Sequence, residues 1–340
     1  MKLLVLGGTV FLGRHVVDAA LANGCEVTLL NRGNHVVRFA QPVEQLQGDR
    51  DGDLSALVGR CFDAVIDCSG YTPKQLQHTA DVLRGRVGHY VFASTISVYA
   101  GFPPGQMYDE SAPVTHSTQG YGGGKARAEE VIQAAFPGRV TVLRPGLIVG
   151  PNDPTGRFTY WPLRLARGGR VLAPGRPERP VQFIDVRDLA VWCVQLARQP
   201  RSGVFHGVGP IGTMAAMLQA CQQSAGDGDA QLVWCDDAHL LHAEVAPWTG
   251  LPLWIPEADP DSGGMLLASD QLAVQTGLVT RPWIETAHDT LAWACAAGSS
   301  ASSAVALTAQ AEAALLADLP GWFCPQSPAS LRYHYLLPAC

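Results

Sequence analysis

Charge is scarce in this sequence. Charged residues make up 16% of the 340-residue chain against 47% hydrophobic ones, a balance that buries enough apolar surface to offset backbone ordering and so excludes wholesale disorder. Cations are not in excess either: 24 Lys and Arg face 30 Asp and Glu, for a formal net charge of -6. A surface that neutralises a phosphate backbone needs the opposite balance, so nucleic acid is not an expected partner. No apolar run approaches the ~20 residues that cross a bilayer, and a membrane is not expected as a partner. Met1-Lys2 runs straight into a strand-like segment with no small-residue cleavage site, which makes the cytoplasm the expected address. Cys25, Cys61, Cys68, Cys193, Cys221, Cys235, Cys295, Cys324 and Cys340 contain no Cys-x-x-Cys pair and leave an odd thiol over. They signal neither a zinc site nor a disulfide framework and are expected as reduced, mostly buried thiols.

At roughly 100 to 200 residues per domain the length fits two lobes. Residues 1–150 alternate strand-like runs (Leu3 to Leu6, Glu26 to Leu30, Phe62 to Asp67, His89 to Ala93, Val140 to Val149) with amphipathic stretches. That alternation predicts an α/β fold with a doubly wound parallel sheet of the Rossmann type. Phe11 to Asn23 carries Val16, Val17, Ala20 and Leu21 on one helical face, and Gly24 is placed to end it. After Gly150, six prolines between Pro151 and Pro180 interrupt any regular helix, so a smaller substrate-binding lobe is expected over 151–296. A strand and helix between Val181 and Ala197 are expected to return to the first sheet, placing 181–200 with it. Ala296 to Ser303 reads as a flexible linker, followed by a helix from Thr308 to Leu319 and a tail bearing Trp322, Phe323, Tyr333 and Tyr335. This last segment is expected to cover the substrate pocket, to form a subunit contact in a homodimer, or to dock on its own body.

The first strand enters Gly7-Gly8-Thr9-Val10-Phe11-Leu12-Gly13 and then a helix. Glycines there permit a tight turn and let a pyrophosphate approach the amides at a helix N-terminus; the flanking strand and helix supply the context this motif requires. The order resembles the glycine motif of the extended and atypical short-chain dehydrogenase/reductases, the NAD-dependent epimerase/dehydratase group, with Val10 where many members carry a middle glycine. By that resemblance Gly7, Gly8, Thr9, Phe11, Leu12 and Gly13 line the cofactor, Asp49 meets the adenine with Arg50 beside it, and Ser69 in Asp67-Cys68-Ser69-Gly70 lines the next turn. The second strand ends in Asn31-Arg32-Gly33. The carboxylate that usually binds the ribose of NAD is missing, and a guanidinium suits a 2'-phosphate, so NADP is the expected cofactor with NAD possible. The alternative is that Arg32 is a solvated turn residue.

Tyr121-Gly122-Gly123-Gly124-Lys125 places an ammonium one helical turn from a phenol. A phenol titrates near 10 and serves as a base at neutral pH only beside positive charge, which Lys125 and an oxidised nicotinamide are expected to supply. Ser94-Thr95-Ile96-Ser97-Val98-Tyr99 resembles the family's Ser/Thr-x-x-Val-Tyr motif, and that resemblance makes Thr95 the catalytic hydroxyl beside Tyr121 and Lys125. Ile96-Ser97 stand where the family's 4,6-dehydratases carry an Asp-Glu pair, which disfavours elimination. Leu143 to Pro151 resembles the strand and turn beside the nicotinamide and assigns Pro145 and Leu147 to cofactor binding. Leu147 also fills the place of an Asn common in sugar-nucleotide epimerases. In the second lobe two readings stand open: Phe158, Tyr160, Trp161, Trp248 and Trp254 as an aromatic wall, or Arg157, Arg164, Arg176 and Arg179 as anchors for an anion. Asp188 is either part of the family's return segment or a first-turn helix acid. His206, His239 and His242 have no metal-ligand spacing. The expected function is carbonyl–alcohol interconversion on a small-molecule substrate, with a sugar epimerase or a non-catalytic, nucleotide-sensing or RNA-binding relative as alternatives.

Overall fold

The computed structural model describes residues 1–226, 228–298 and 306–319. Strands Lys2–Leu6 (β1), Glu26–Asn31 (β2), Glu44–Gln47 (β3), Phe62–Asp67 (β4), Val87–Ala93 (β5) and Val140–Pro145 (β6) join a further strand, Gly203–Gly207, in one seven-stranded sheet. Every neighbouring pair is parallel. Apolar runs without alternation are what such a sheet demands, because both faces are covered. Within β1, Leu3 and Val5 face the core built with helix Phe11–Ala22 (α1), while Leu4 and Leu6 face the core built with helices Pro73–Leu83 (α2) and Gly120–Ala135 (α3). The sheet grows from β1 toward β3 on one side and from β4 onward on the other. The C-terminal ends of β1 and β4 therefore flank a topological switch point, where open α/β sheets hold ligands.

Several expectations change in detail. The run Val140 to Val149 is broken at Gly146 into β6 and a two-residue strand, Ile148–Val149. In helix Val186–Arg198, Val186, Leu189, Trp192 and Leu196 share the core of α1. The short strands before it do not join the seven-stranded sheet: Ile184–Asp185 pairs with Ile148–Val149, and Pro180–Val181 pairs with Gly212–Thr213. The strand that completes the sheet is Gly203–Gly207, beside β6. Polar β3 also escaped the sequence reading, since its four residues Glu-Gln-Leu-Gln show the mostly exposed pattern of a sheet edge.

The second lobe surrounds a separate core that includes Phe158, Trp161, Leu172, Met217, Leu240 and Trp254. Helix Ala309–Asp318, capped by Thr308, closes one side of it. Glu312, 4% exposed, accepts from Arg164 Nε at 2.7 Å and from the Leu172 amide at 3.1 Å, and Leu316 enters the core. This helix thus packs on its own lobe, and none of its residues lines the cleft described below. Most of the expected linker, and the tail with Trp322, Phe323, Tyr333 and Tyr335, lie outside the described residues. The seven described cysteines are free thiols, and four of them are buried. Among the described residues no helix is long and apolar enough to cross a membrane.

Removing one member of a buried ion pair strands the other charge, at a cost of about 3 kcal/mol or more. Glu312→Ala is therefore expected to lower the urea unfolding free energy by about that amount; an unchanged midpoint would show that the terminal helix docks without this pair.

Candidate active site

A cleft of about 450 Å³ opens at the switch point. Its floor is a backbone turn with no room for side chains. A Cβ at Gly7, whose φ is +83°, would stand 2.5 Å from Ser69 Cβ, and one at Gly13 would stand 2.0 Å from the Gly7 carbonyl oxygen. Gly8 faces away from the cleft, against Leu29. Thr9, Val10, Phe11 and Leu12 complete the turn along the cleft wall. Val10, in the middle-glycine position, is the N-cap residue of α1 and is 45% exposed. Among the described residues no side chain caps that helix, and no acid occupies its first turn, so its amide groups and positive dipole end suit a phosphate group.

At the end of β2, Asn31 Oδ1 accepts from the Gly33 amide at 2.7 Å, while Arg32 is exposed and forms no ion pair among the described residues. Both line the cleft with Asp49. Asp49 shapes its own turn, accepting from the Asp51 amide at 3.0 Å. Arg50 lines the cleft beside Asp49 and is buried there. Its guanidinium turns into the sheet, where Nη1 donates to Asp67 at 2.6 Å and Nε to Thr79 at 3.1 Å. Asp67 also accepts from Tyr90 at 2.6 Å and from the Ser69 amide at 3.0 Å. Burial alone would raise the Asp67 carboxyl, but Arg50 and these donors hold it below its ordinary value. The pair fixes the turn carrying Ser69, which does line the cleft.

Tyr121 and Lys125 both line the cleft from the first turns of α3. Lys125 is 3% exposed, and its ammonium donates to the carbonyls of Gly70 at 2.7 Å and Ala93 at 2.6 Å, 4.3 Å from the centroid of the Phe92 ring. Burial pushes it down to about 8. Tyr121, 55% exposed, is pushed up by burial of its phenol, with Thr95 opposing. The depression of the phenol expected from Lys125 is thus not present in this structure, where two carbonyls engage the ammonium. Two of the three glycines between them are required by close packing. A Cβ at Gly122 would meet the Ser97 carbonyl oxygen at 2.0 Å, and one at Gly123 the Ser117 carbonyl oxygen at 2.5 Å. Only bare backbone lets the start of α3 settle against the Thr95 segment.

Thr95 does not itself line the cleft; its hydroxyl donates to Ser97 Oγ and accepts from the Ser97 amide, both at 3.1 Å. Ser94 does, with its hydroxyl bonded to buried Glu129. Glu129 pairs with Arg144 at 2.7 Å, Arg144 donates to the Tyr99 hydroxyl at 3.1 Å, and Tyr99 meets His206 Nε2 at 2.6 Å. Burial lowers His206, so the neutral ring can accept from Tyr99 while Nδ1 donates to the Ser269 carbonyl. Pro145 lines the cleft, whereas Leu147 does not: it packs on the second-lobe core, and Ile148 takes the wall position. The break at Gly146 shifts the side chains past the register the resemblance implied. Sequence reasoning missed Tyr71, Gln75, Ile148 and Pro154 among the lining residues. Tyr71 had a signal, directly following the turn Asp67 to Gly70, and so did Ile148, within the segment Leu143 to Pro151.

Gly122→Ala is expected to cost about 1–3 kcal/mol, as overpacking does, and to displace Tyr121. Gly124→Ala, whose Cβ would lie 3.3 Å from the Tyr71 carbonyl oxygen, should stay within about 1 kcal/mol of the parent. Thermal melts of both variants check the contrast, and equal losses would refute the packing account.

Comparison with known proteins agrees with this architecture. At 24% identity over 251 residues the chain resembles chloroplast stem-loop binding protein of 41 kDa b from Arabidopsis thaliana, covering 68% of this chain and 65% of that protein. It is 32% identical over 174 residues to 4-hydroxy-2-methyl-3-oxo-4-farnesyl-3,4-dihydroquinoline-1-oxide ketoreductase from Stigmatella aurantiaca, covering 45% of this chain and 52% of the relative. With 2-alkyl-3-oxoalkanoate reductase from Shewanella oneidensis it shares 27% over 213 residues, covering 55% and 54%. These matches span only about half to two thirds of the relatives' own lengths. The fold is shared with UDP-glucose 4-epimerase from Thermus thermophilus, solved with NAD, at a TM-score of 0.61 and 20% identity over 86% of this chain and 98% of that one. The model of the NAD dependent epimerase/dehydratase family matches residues 3–209, the span that carries the glycine turn, Tyr121, Lys125 and the whole parallel sheet, and this chain belongs to that family.

Proposed function

We propose that this protein is an NADP(H)-dependent oxidoreductase that interconverts a carbonyl and a secondary alcohol on a small molecule, with Thr95, Tyr121 and Lys125 as its working groups. The observation that carries the reading is the placement of Tyr121 and Lys125 on the wall of one cleft, one helical turn apart, beside a glycine turn whose helix end is free for a phosphate. The cofactor, when bound, supplies or accepts the hydride. Lys125, held by the Gly70 and Ala93 carbonyls, keeps one N–H for a ligand hydroxyl. Tyr121, raised above its ordinary value, is protonated at neutral pH and is poised to give its proton to a developing alkoxide. Thr95, just behind the cleft surface, holds the Tyr121 phenol in register.

Arg32 supports NADP over NAD, since its side chain forms no ion pair or hydrogen bond among the described residues and lies on the cleft wall where an acid would favour NAD. The lobe made by residues 1–150 with 181–200 is assigned to the cofactor and 151–296 to the substrate, in a protein working in the cytoplasm. Two of the relatives are named as reductases, of a quinoline ketone and of a 3-oxo acid, which favours net reduction. The epimerase likeness favours a second reading, in which one carbon is oxidised and reduced again; Leu147 where many epimerases carry Asn weighs against it. The stem-loop binding relative invites an RNA-binding reading, which the net charge of -6 opposes.

Tyr121→Phe is expected to lower turnover by about a hundredfold or more, followed as loss of NADPH absorbance, while leaving NADPH affinity and melting temperature nearly unchanged. Parental rates in that variant would refute the assignment. Arg32→Ala should weaken NADPH by about tenfold or more, the worth of a charged hydrogen bond, with NADH unaffected; fluorescence titration of both cofactors measures it, and a parent that prefers NADH would overturn the NADP reading.

A further inference from the structure

The arginines and aromatic residues that the sequence offers as rival substrate anchors meet different fates. Arg164 pairs with Glu312, and Arg176 forms two bonds with Glu257 at 3.0 and 2.8 Å. Arg179, 2% exposed, meets Asp237 at 3.4 Å and the Ile255 carbonyl. Phe158, Tyr160, Trp161 and Trp254 are buried in the lobe's core. One member of each set is left, and the two are together: the Arg157 guanidinium carbon lies 5.6 Å from the centroid of the Trp248 ring, within reach of a cation–π contact.

Arg157 has no acid within ion-pair distance and its side chain makes no hydrogen bond among the described residues, although its Nε is shielded from water. A guanidinium N–H withheld from water without a partner is costly, and such an atom in a folded protein calls for a missing acceptor. The nearby buried carboxylate of Asp153 is spent on the Thr155 amide at 2.8 Å and hydroxyl at 3.0 Å. The loop that carries Arg157 is tied to the cofactor side. Pro154 stands in the cleft wall, Asn152 accepts from Arg14 of α1 at 3.1 Å, and His15 meets the Pro151 carbonyl at 2.9 Å.

We propose that Arg157, braced on Trp248, anchors the carboxylate of an acidic carbonyl substrate. A planar guanidinium takes a carboxylate with two parallel bonds, and the single positive charge of Arg157 matches a monoanion rather than a phosphate dianion. This rests on the oxidoreductase reading but does not share its test. The full-length protein loaded with NADP⁺ is titrated calorimetrically with 3-oxodecanoate and with its methyl ester, and the NADPH-loaded protein is assayed for reduction of both. The parent is expected to bind the acid about tenfold or more tighter than the ester, by the worth of a charged hydrogen bond. Arg157→Gln should bring the two together, raising KM for the acid with kcat little changed; Arg157→Lys should restore part of the preference, and NADPH affinity should be the same in all three. An acid preference retained in Arg157→Gln, a parallel loss of NADPH affinity showing that the cation serves a cofactor phosphate, or a parent that fails to favour the acid would each overturn the proposal. Acid binding that depends on Arg157 without any NADPH consumption would uphold the anchor and sink the oxidoreductase reading instead.

Discussion

Backbone packed too closely against neighbouring segments to admit a Cβ is the constraint on which this molecule's cleft depends. At Gly7 the turn touches Ser69, at Gly13 the helix start touches the turn, and at Gly122 the second helix start touches the Ser97 carbonyl. Each approach is closer than any side chain permits, so all three positions need glycine, whatever conformational entropy that costs in the unfolded chain. Together they bring the N-terminal ends of α1 and α3 to the same switch point. The phosphate-seeking helix end and the Tyr121–Lys125 pair thereby share one cavity.

Buried charge then makes the cavity stiff. Arg50, Asp67 and Tyr90 form one network under the Ser69 turn, and Ser94, Glu129, Arg144, Tyr99 and His206 form another under the Thr95 segment. A buried ion pair is weak evidence of stability, because desolvation consumes most of its attraction. What these networks provide is geometry, since Asp67 and Glu129 each gather donors from several segments onto one carboxylate. Tyr99, pushed up to about 12 by burial, stays a neutral hydroxyl relaying between Arg144 and His206. Lys125 belongs to the same logic: two carbonyls from neighbouring turns fix its ammonium without neutralising it.

In the second lobe, packing sorts residues that look alike along the chain. Four arginines have the same donor set, but three are consumed by Glu312, Glu257 and Asp237. Such partners lie 58 to 148 residues away in sequence, so no local pattern announces them. Burial sorts the aromatic residues in the same way, leaving Trp248 at the lobe's margin.

The parallel sheet, the glycine turn and the Tyr-x-x-x-Lys pair were legible in the sequence because each is a local event: apolar runs too continuous for a one-sided strand, a strand–glycine–helix order, and a spacing of one helical turn. Those signals identified the fold class and the residues around which the candidate site is built. Tertiary structure alone decided the rest. It turned Arg50 inward onto Asp67, moved Leu147 out of the wall in favour of Ile148, kept Thr95 just behind the cleft surface, and made Gly203–Gly207 rather than the strands near Val181 the edge of the sheet. The physical reason is common to all of these. Whether a polar side chain faces a ligand or the core depends on which acceptor lies nearest in space, and that is set by contacts between segments far apart in the chain.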